Sequence, residues 1–193
     1  TYRNTRHDRN VHLVQGDLYA IPLADAAFDI VYSIGVLHHL PDPERGSRNL
    51  LPLLKPGGRL FVWLYSRKRL MVNFMLECVR AVTTRLPHPA VRQLAWLGAA
   101  IDAGAFVWPY RRLRTLPAVG SVVERLIPQR IKLYSAYPFQ VIHADWFDRL
   151  AAPIRRYYDE DSARALLVHA GLHDVLVSAT GLYGWRACGV MRV

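Results

Sequence analysis

An α/β fold with a mostly parallel sheet is predicted by three features of the sequence. Short apolar runs alternate with turn signals and one helical pattern over residues 11–65. A capped helical pattern and two strand-like runs return in residues 159–193. Between them lie helical stretches broken by prolines at 87, 89, 109, 117, 128 and 138, which read as an insertion and not as a second independent domain.

Each element has a local reason. VHLVQ (11–15) alternates apolar and polar residues and ends at Gly16-Asp17, so it reads as a strand. FDIVYS (28–33) is a second strand, richer in β-branched and aromatic residues. Asp42 is placed to cap a helix with Pro43 at its first position; the pattern runs to about residue 54, with Pro52 kinking its last turn. Lys55-Pro56-Gly57-Gly58 turns the chain into the buried strand RLFVWLY (59–65). Asp159 caps a later helix, with Ser162 completing a loose capping box and Gly171 closing it. LHDVLVSA (172–179) and WRACGVMRV (185–193) flank a Gly181–Gly184 turn and form an antiparallel hairpin.

Composition narrows the function classes. The 193 residues are 52% hydrophobic and 21% charged, which excludes a disordered chain, a collagen-like chain and a disulfide scaffold. Cys78 and Cys188 belong to no CxxC or Cys/His cluster, so no metal site is expected and a reducing compartment fits. The longest apolar stretch, Leu94 to Trp108, is interrupted by Asp102, and no run reaches the ~18 residues of a membrane span. The opening TYRNTRHDRN has no signal-peptide pattern and no initiating Met, and it reads as a chain cut into mid-sequence. Lys+Arg 25 against Asp+Glu 15 gives +10, which points to an anionic partner or to a solvated arginine face.

GDLYAIPLADAAFDIVYSIGVLHHLPDP (16–43), followed by LLKPGGRLFVWLY (53–65), resembles the class I S-adenosylmethionine-dependent methyltransferases, most closely the ubiquinone/menaquinone-methylase type of small-molecule enzyme. The resemblance covers residues 11–65 firmly and 159–193 more weakly. It implies a Rossmann-like sheet and S-adenosyl-L-methionine as cofactor. Asp17 would accept from the adenine amino group while the Leu18 N–H reaches the ring; taken alone, Asp17 reads first as an Asx turn ending a strand. Ser33, Ile34 and Gly35 would lie beside the methionine portion, with Gly35 permitting close approach. Val36 and Leu37 would wall the sulfonium from water. His38 is the candidate base, although one ring of the His38-His39 pair reads as structural. Methyl transfer asks mainly for alignment, so the lack of a catalytic triad is no objection.

The family's glycine-rich first motif and the acidic residue after its second strand have no counterpart ahead of VHLVQ. With the family's sheet order 3-2-1-4-5-7-6, VHLVQ would be strand three and FDIVYS strand four, with the two strands between them missing. The fold is therefore expected to be incomplete at the N-terminus. FDIVYS should expose an apolar edge, and the chain should bind its cofactor poorly.

The insertion is aromatic (Trp96, Phe106, Trp108, Tyr110, Tyr134, Tyr137, Phe139, Trp146) and basic, with Glu77, Asp102 and Glu124 as its acids. It reads as a lid over a small or lipid-like acceptor, its arginines either solvated or resting on an anionic membrane surface. Nucleic acid is disfavoured, because the basic clusters form no recognisable binding module. Val36, His39, Asp148, Tyr157 and Tyr158 are the expected acceptor-pocket residues, while His143 reads as structural. The expected division is 1–65 with 145–193 as a partial methyltransferase domain and 66–144 as the lid. The alternatives are a quinone-biosynthesis C-methyltransferase and a degenerate fold kept as a binding module. The expected location is cytoplasmic, with the membrane periphery as its variant.

Overall fold

The computed structural model describes residue 5, residues 7–181 and residues 183–192. Residues 1–4, 6, 182 and 193 lie outside the described residues, and so do the parts of the expected opening stretch, the expected turn 181–184 and the expected strand 185–193 that fall on them. The chain divides into two compact units, residues 1–69 with 154–193, and residues 70–153. Residues 66–69 and 145–153 thus fall on the other side of the division from the one the sequence suggests.

The first unit is built on four strands: β1 (Phe28–Ile34), β2 (Leu54–Tyr65), β3 (His173–Thr180) and β4 (Gly184–Val190), in the order β1-β2-β4-β3. β1 and β2 are parallel, while β4 runs antiparallel to both β2 and β3. This is the order expected for strands four, five, seven and six. The fold is α/β and Rossmann-like, with the antiparallel hairpin at its end.

Helix α1 (Pro43–Leu50) follows β1 after a 3₁₀ turn at Leu37–His39. The Asp42 carboxylate accepts from the Arg45 N–H at 2.9 Å, and Pro43 occupies the first turn. The helix stops short of Pro52, because a proline in its interior would delete a backbone bond. The ladder between β1 and β2 is interrupted where Lys55-Pro56-Gly57-Gly58 bulges out. Phe28 pairs with Leu54, but Ile30 pairs with Arg59.

Paired residues share a face of the sheet, and the two faces differ. Leu60, Val62 and Leu64 of β2, with Trp185 and Ala187 of β4, are buried against Leu166, Leu167 and Ala170. Those three belong to a helix, Glu160–Ala170, named below as α8. It begins on a complete capping box: the Ser162 N–H donates to Asp159 Oδ1 at 2.9 Å, and the Asp159 N–H donates to Ser162 Oγ at 3.0 Å. It ends at Gly171 with φ +109°. The opposite face leaves Ile30, Tyr32, Ile34 and Leu176 exposed.

One expected strand does not form. VHLVQ (11–15) joins no ladder among the described residues, and Val11, Leu13 and Val14 are exposed. A strand needs a hydrogen-bonding neighbour, and the outer edge of β1 has none there, so alternation alone could not fix this segment as β.

The second unit is helical: α2 (Leu70–Thr83), α3 (His88–Ile101), α4 (Trp108–Leu113), α5 (Gly120–Leu126), α6 (Gln129–Ala136) and α7 (Phe139–Ala151), with a π-helical segment at Asp102–Val107. Helix α8 (Glu160–Ala170) then belongs to the first unit. Asp102, which interrupts the apolar stretch, is buried; it pairs with Arg130 and accepts from Trp146 Nε1. It thereby ties the π segment to α6 and α7. Among the described residues no helix is long and apolar enough to cross a membrane.

Candidate active site at the carboxyl end of the sheet

Open α/β sheets bind ligands beyond the carboxyl ends of their strands. The exit of β1 is shaped for such approach. Gly35 has φ +77°, a conformation that favours glycine, and a Cβ built there would meet nothing within 4 Å. Just before it, Ser33 is buried and its Oγ makes no hydrogen bond, while Ile34 is exposed. Just after it, Val36 is exposed and Leu37 fully buried.

His38 and His39 diverge sharply. His38 is 0% exposed, with its ring centroid 4.0 Å from that of Tyr65 and 4.4 Å from that of His39. Neither ring nitrogen makes a hydrogen bond. Burial pushes its pKa down from 6.5 to about 3, helped by repulsion from His39 and Arg155; the Trp63 backbone works weakly the other way. The base expected at His38 is thus a neutral, enclosed ring at physiological pH. His39 is half-buried, and its Nδ1 lies 2.6 Å from the Ile154 carbonyl oxygen. A carbonyl only accepts, so Nδ1 carries the hydrogen.

The segment 154–158 is bonded to the backbone at the ends of this exit and of β2. The Arg156 N–H donates to the His38 carbonyl at 2.9 Å, and the Tyr158 N–H donates to the Tyr65 carbonyl at 2.8 Å. Tyr158 is a core residue, with its own carbonyl accepting from Trp185 Nε1 at 2.9 Å. Burial raises its phenol pKa. Tyr157 is half-buried beside Tyr65, and both it and Tyr158 line a hollow of about 470 Å³ with Glu44, Arg67, Arg156 and Ser162. Asp148 lies in α7, in the second unit.

Asp17 and Leu18 occupy a different hollow, of about 400 Å³, whose other wall is β1 from Phe28 to Tyr32 with Leu50 and Leu53. Asp17 Oδ1 accepts from the Tyr19 N–H at 2.9 Å, so the residue does form the Asx turn. The Leu18 carbonyl accepts from Asn49 Nδ2 at 3.3 Å, which pins this turn to α1.

Three residues at the β1 exit were not singled out from sequence. Trp63 and Tyr65 stack edge-on at 5.3 Å between centroids, and the Arg155 guanidinium lies 4.5 Å from the Tyr65 ring centre. Trp63 Nε1 donates to Thr180 Oγ1 at 3.0 Å, and a Cβ on Gly184 would clash with the indole at 2.6 Å. Their signal was present: Trp63 and Tyr65 alternate with buried Val62 and Leu64 at the end of β2, placing both aromatics on one face. Among the described residues no three His, Cys, Asp or Glu side chains gather to hold a metal.

Residues 2–62 match the family described as Methyltransferase domain. The ubiquinone/menaquinone biosynthesis C-methyltransferase UbiE of Escherichia coli O139:H28 is 26% identical over 166 residues, covering 86% of this chain and 47% of that relative. The UbiE of Citrobacter koseri is 27% identical and that of Shewanella sediminis 24%, with the same coverage. The chain spans about half the length of the curated relatives it matches. Among solved structures, a possible histamine N-methyltransferase from Thermotoga maritima aligns at TM-score 0.48 and 13% identity, over 98% of this chain and 70% of that one. The stretch 2–62 that matches the Methyltransferase domain family holds the Asp17 turn, β1 and most of β2, and in it the chain is similar to that family.

Proposed function

We propose that this chain carries the acceptor-side half of a methyltransferase that moves a methyl group from S-adenosylmethionine to an O, N or C nucleophile on a small or lipid-like molecule. The observation that carries the reading is the open, positive-φ Gly35 beside the buried imidazole–aromatic cluster, at the carboxyl ends of two parallel strands.

The residues present suit the cofactor in part. Asp17 and the Leu18 N–H would meet the adenine edge; Ser33, Ile34 and Gly35 would run beside the methionine portion, with Val36 as an apolar wall. For the ribose and the carboxypropyl end, the described residues offer no glycine-rich loop and no strand on the outer edge of β1. When bound, the group supplies an already activated methyl. The protein's share is alignment and exclusion of water, worth on the order of 7–11 kcal/mol in well-oriented reactions. His38 packs the floor, His39 holds segment 154–158 through Ile154, and Tyr157 borders the acceptor.

The finer reading, quinone-biosynthesis C-methylation, is supported by the activity named for the UbiE relatives. A comparison of quinol, hydroxyl and amine acceptors of similar size tests it, and transfer confined to the last two removes it.

The site itself is tested by titrating S-adenosylhomocysteine into the isotope-labelled chain. The Leu18 and Gly35 amide resonances should both shift, with affinity weaker than the low micromolar range. Shifts at neither amide overturn the placement. A low micromolar dissociation constant overturns the partial fit.

A further inference from the structure

Helix α2 is built inside out. Its inward arc holds Arg80, Glu77 and Thr83: Arg80 is 3% exposed, pairs with Glu77 at 3.2 Å and donates to the Ala152 carbonyl at 2.6 Å, while Thr83 Oγ1 donates to the Leu150 carbonyl at 2.9 Å. The outward arc is the apolar one. Met71 is 73% exposed, Phe74 67% and Met75 62%, and Leu70, Val79 and Val82 continue the same stripe. At 100° per residue these positions sweep roughly half of the helix surface, an arc that carries no charged side chain. In water this arrangement is unfavourable on both counts, since it buries charge and exposes apolar surface.

Along the chain the stripe is flanked by basic residues, and the helix's own acid, Glu77, is paired with Arg80. Arg67, Lys68 and Arg69 immediately precede the helix, and exposed Arg85 follows it. Arg67 shares its charge with Asp159, but Lys68 and Arg69 rest on the rings of Trp185 and Tyr183 and keep theirs. Fourteen residues give a helix about 21 Å long, shorter than the ~20 residues needed to span a bilayer. An apolar arc of this length, bracketed by cations, suits a helix lying in the plane of a membrane surface, with methionines and phenylalanine among the acyl chains and arginine and lysine at the headgroups.

We infer that the outward face of α2 is a docking surface for a lipid bilayer carrying anionic headgroups. The inference stands apart from the methyltransferase reading and is read without any turnover.

Flotation of the chain with equimolar phosphatidylcholine–phosphatidylglycerol vesicles, against pure phosphatidylcholine, tests it. The chain should co-float with the anionic vesicles, much less with the neutral ones, and progressively less as salt is raised. The double substitution Met71→Asp with Met75→Asp should lower the anionic partition coefficient at least tenfold while leaving the thermal midpoint unchanged, as both side chains face outward. Phe74→Ser serves as a second, uncharged variant and should weaken partition severalfold. Equal binding by wild type and variants overturns the inference. So does a wild type that ignores both vesicles but self-associates through this face, since a second copy is then the occupant.

Discussion

The two faces of the four-stranded sheet are made by the same strands, yet they have opposite fates. On one, Leu60, Val62 and Leu64 are 0% exposed beneath α8. On the other, Ile30 is 62% exposed, Tyr32 70%, Ile34 59% and Leu176 75%. Strand chemistry therefore does not decide burial; what decides it is whether a helix adjacent in the sequence covers that face. The covered face is closed by α1, which follows β1, and by α8, which leads directly into β3. The open face has no such element among the described residues of its own unit, and β1 ends the sheet with an unpaired edge.

The most direct way to break this comparison is to truncate one residue on each face. Leu60→Ala should cost 2–5 kcal/mol, at roughly the range seen for fully buried leucines. Ile30→Ala should cost less than about 1 kcal/mol, because most of that side chain already meets water. Urea unfolding of the two variants measures both. Comparable losses would mean that the open face is covered in solution.

Much of the covered face was legible in sequence, and the reasons are local. β1, the strand at RLFVWLY, the capped helices and the hairpin all carry their signals within a few residues: Asp42-Pro43, Asp159 with Ser162, and Gly171 at positive φ. The failures are non-local. VHLVQ has strand alternation but no neighbour to pair with, and alternation cannot report that. His38 reads as a base by residue type. Only the packing of Tyr65, His39 and Trp63 around it shows a ring with no exposure. The pairing of Trp63 and Tyr65 with Arg155 joins positions far apart in the chain, and the inverted polarity of α2 emerges only once its neighbour α7 is in place.

A second experiment asks whether burial at the β1 exit is as firm as on the covered face. His38 has its folded pKa depressed from 6.5 to about 3. Between those values the unfolded chain binds a proton that the folded chain does not. The associated stability is complete above pH ~6.5 and falls as the pH drops towards 3, by at most about 1.4 kcal/mol per pH unit. His38→Leu keeps similar bulk and removes the titration, so its stability should fall less steeply across that window than that of the wild type. Parallel curves would show that His38 is solvated and protonates normally, leaving it available as a base.

The smallest expected effect concerns the helix that closes the covered face. Asp159 accepts from the Ser162 hydroxyl and backbone N–H, and these bonds hold its carboxyl below the ordinary carboxylate pKa. Asp159→Ala removes the cap and should cost about 1 kcal/mol at neutral pH. Because the folded pKa is depressed, that contribution is present above the unfolded value and fades as the pH falls through the folded one. The difference between wild type and variant should therefore shrink below pH ~4. The loosening should also be one-sided. Amide exchange should quicken at Ala163 and Leu166 in α8, while Ile30 and Tyr32, which do not depend on that helix for cover, keep their rates. Equal acceleration at Tyr32 would show that the two faces are coupled through the sheet and are not closed independently.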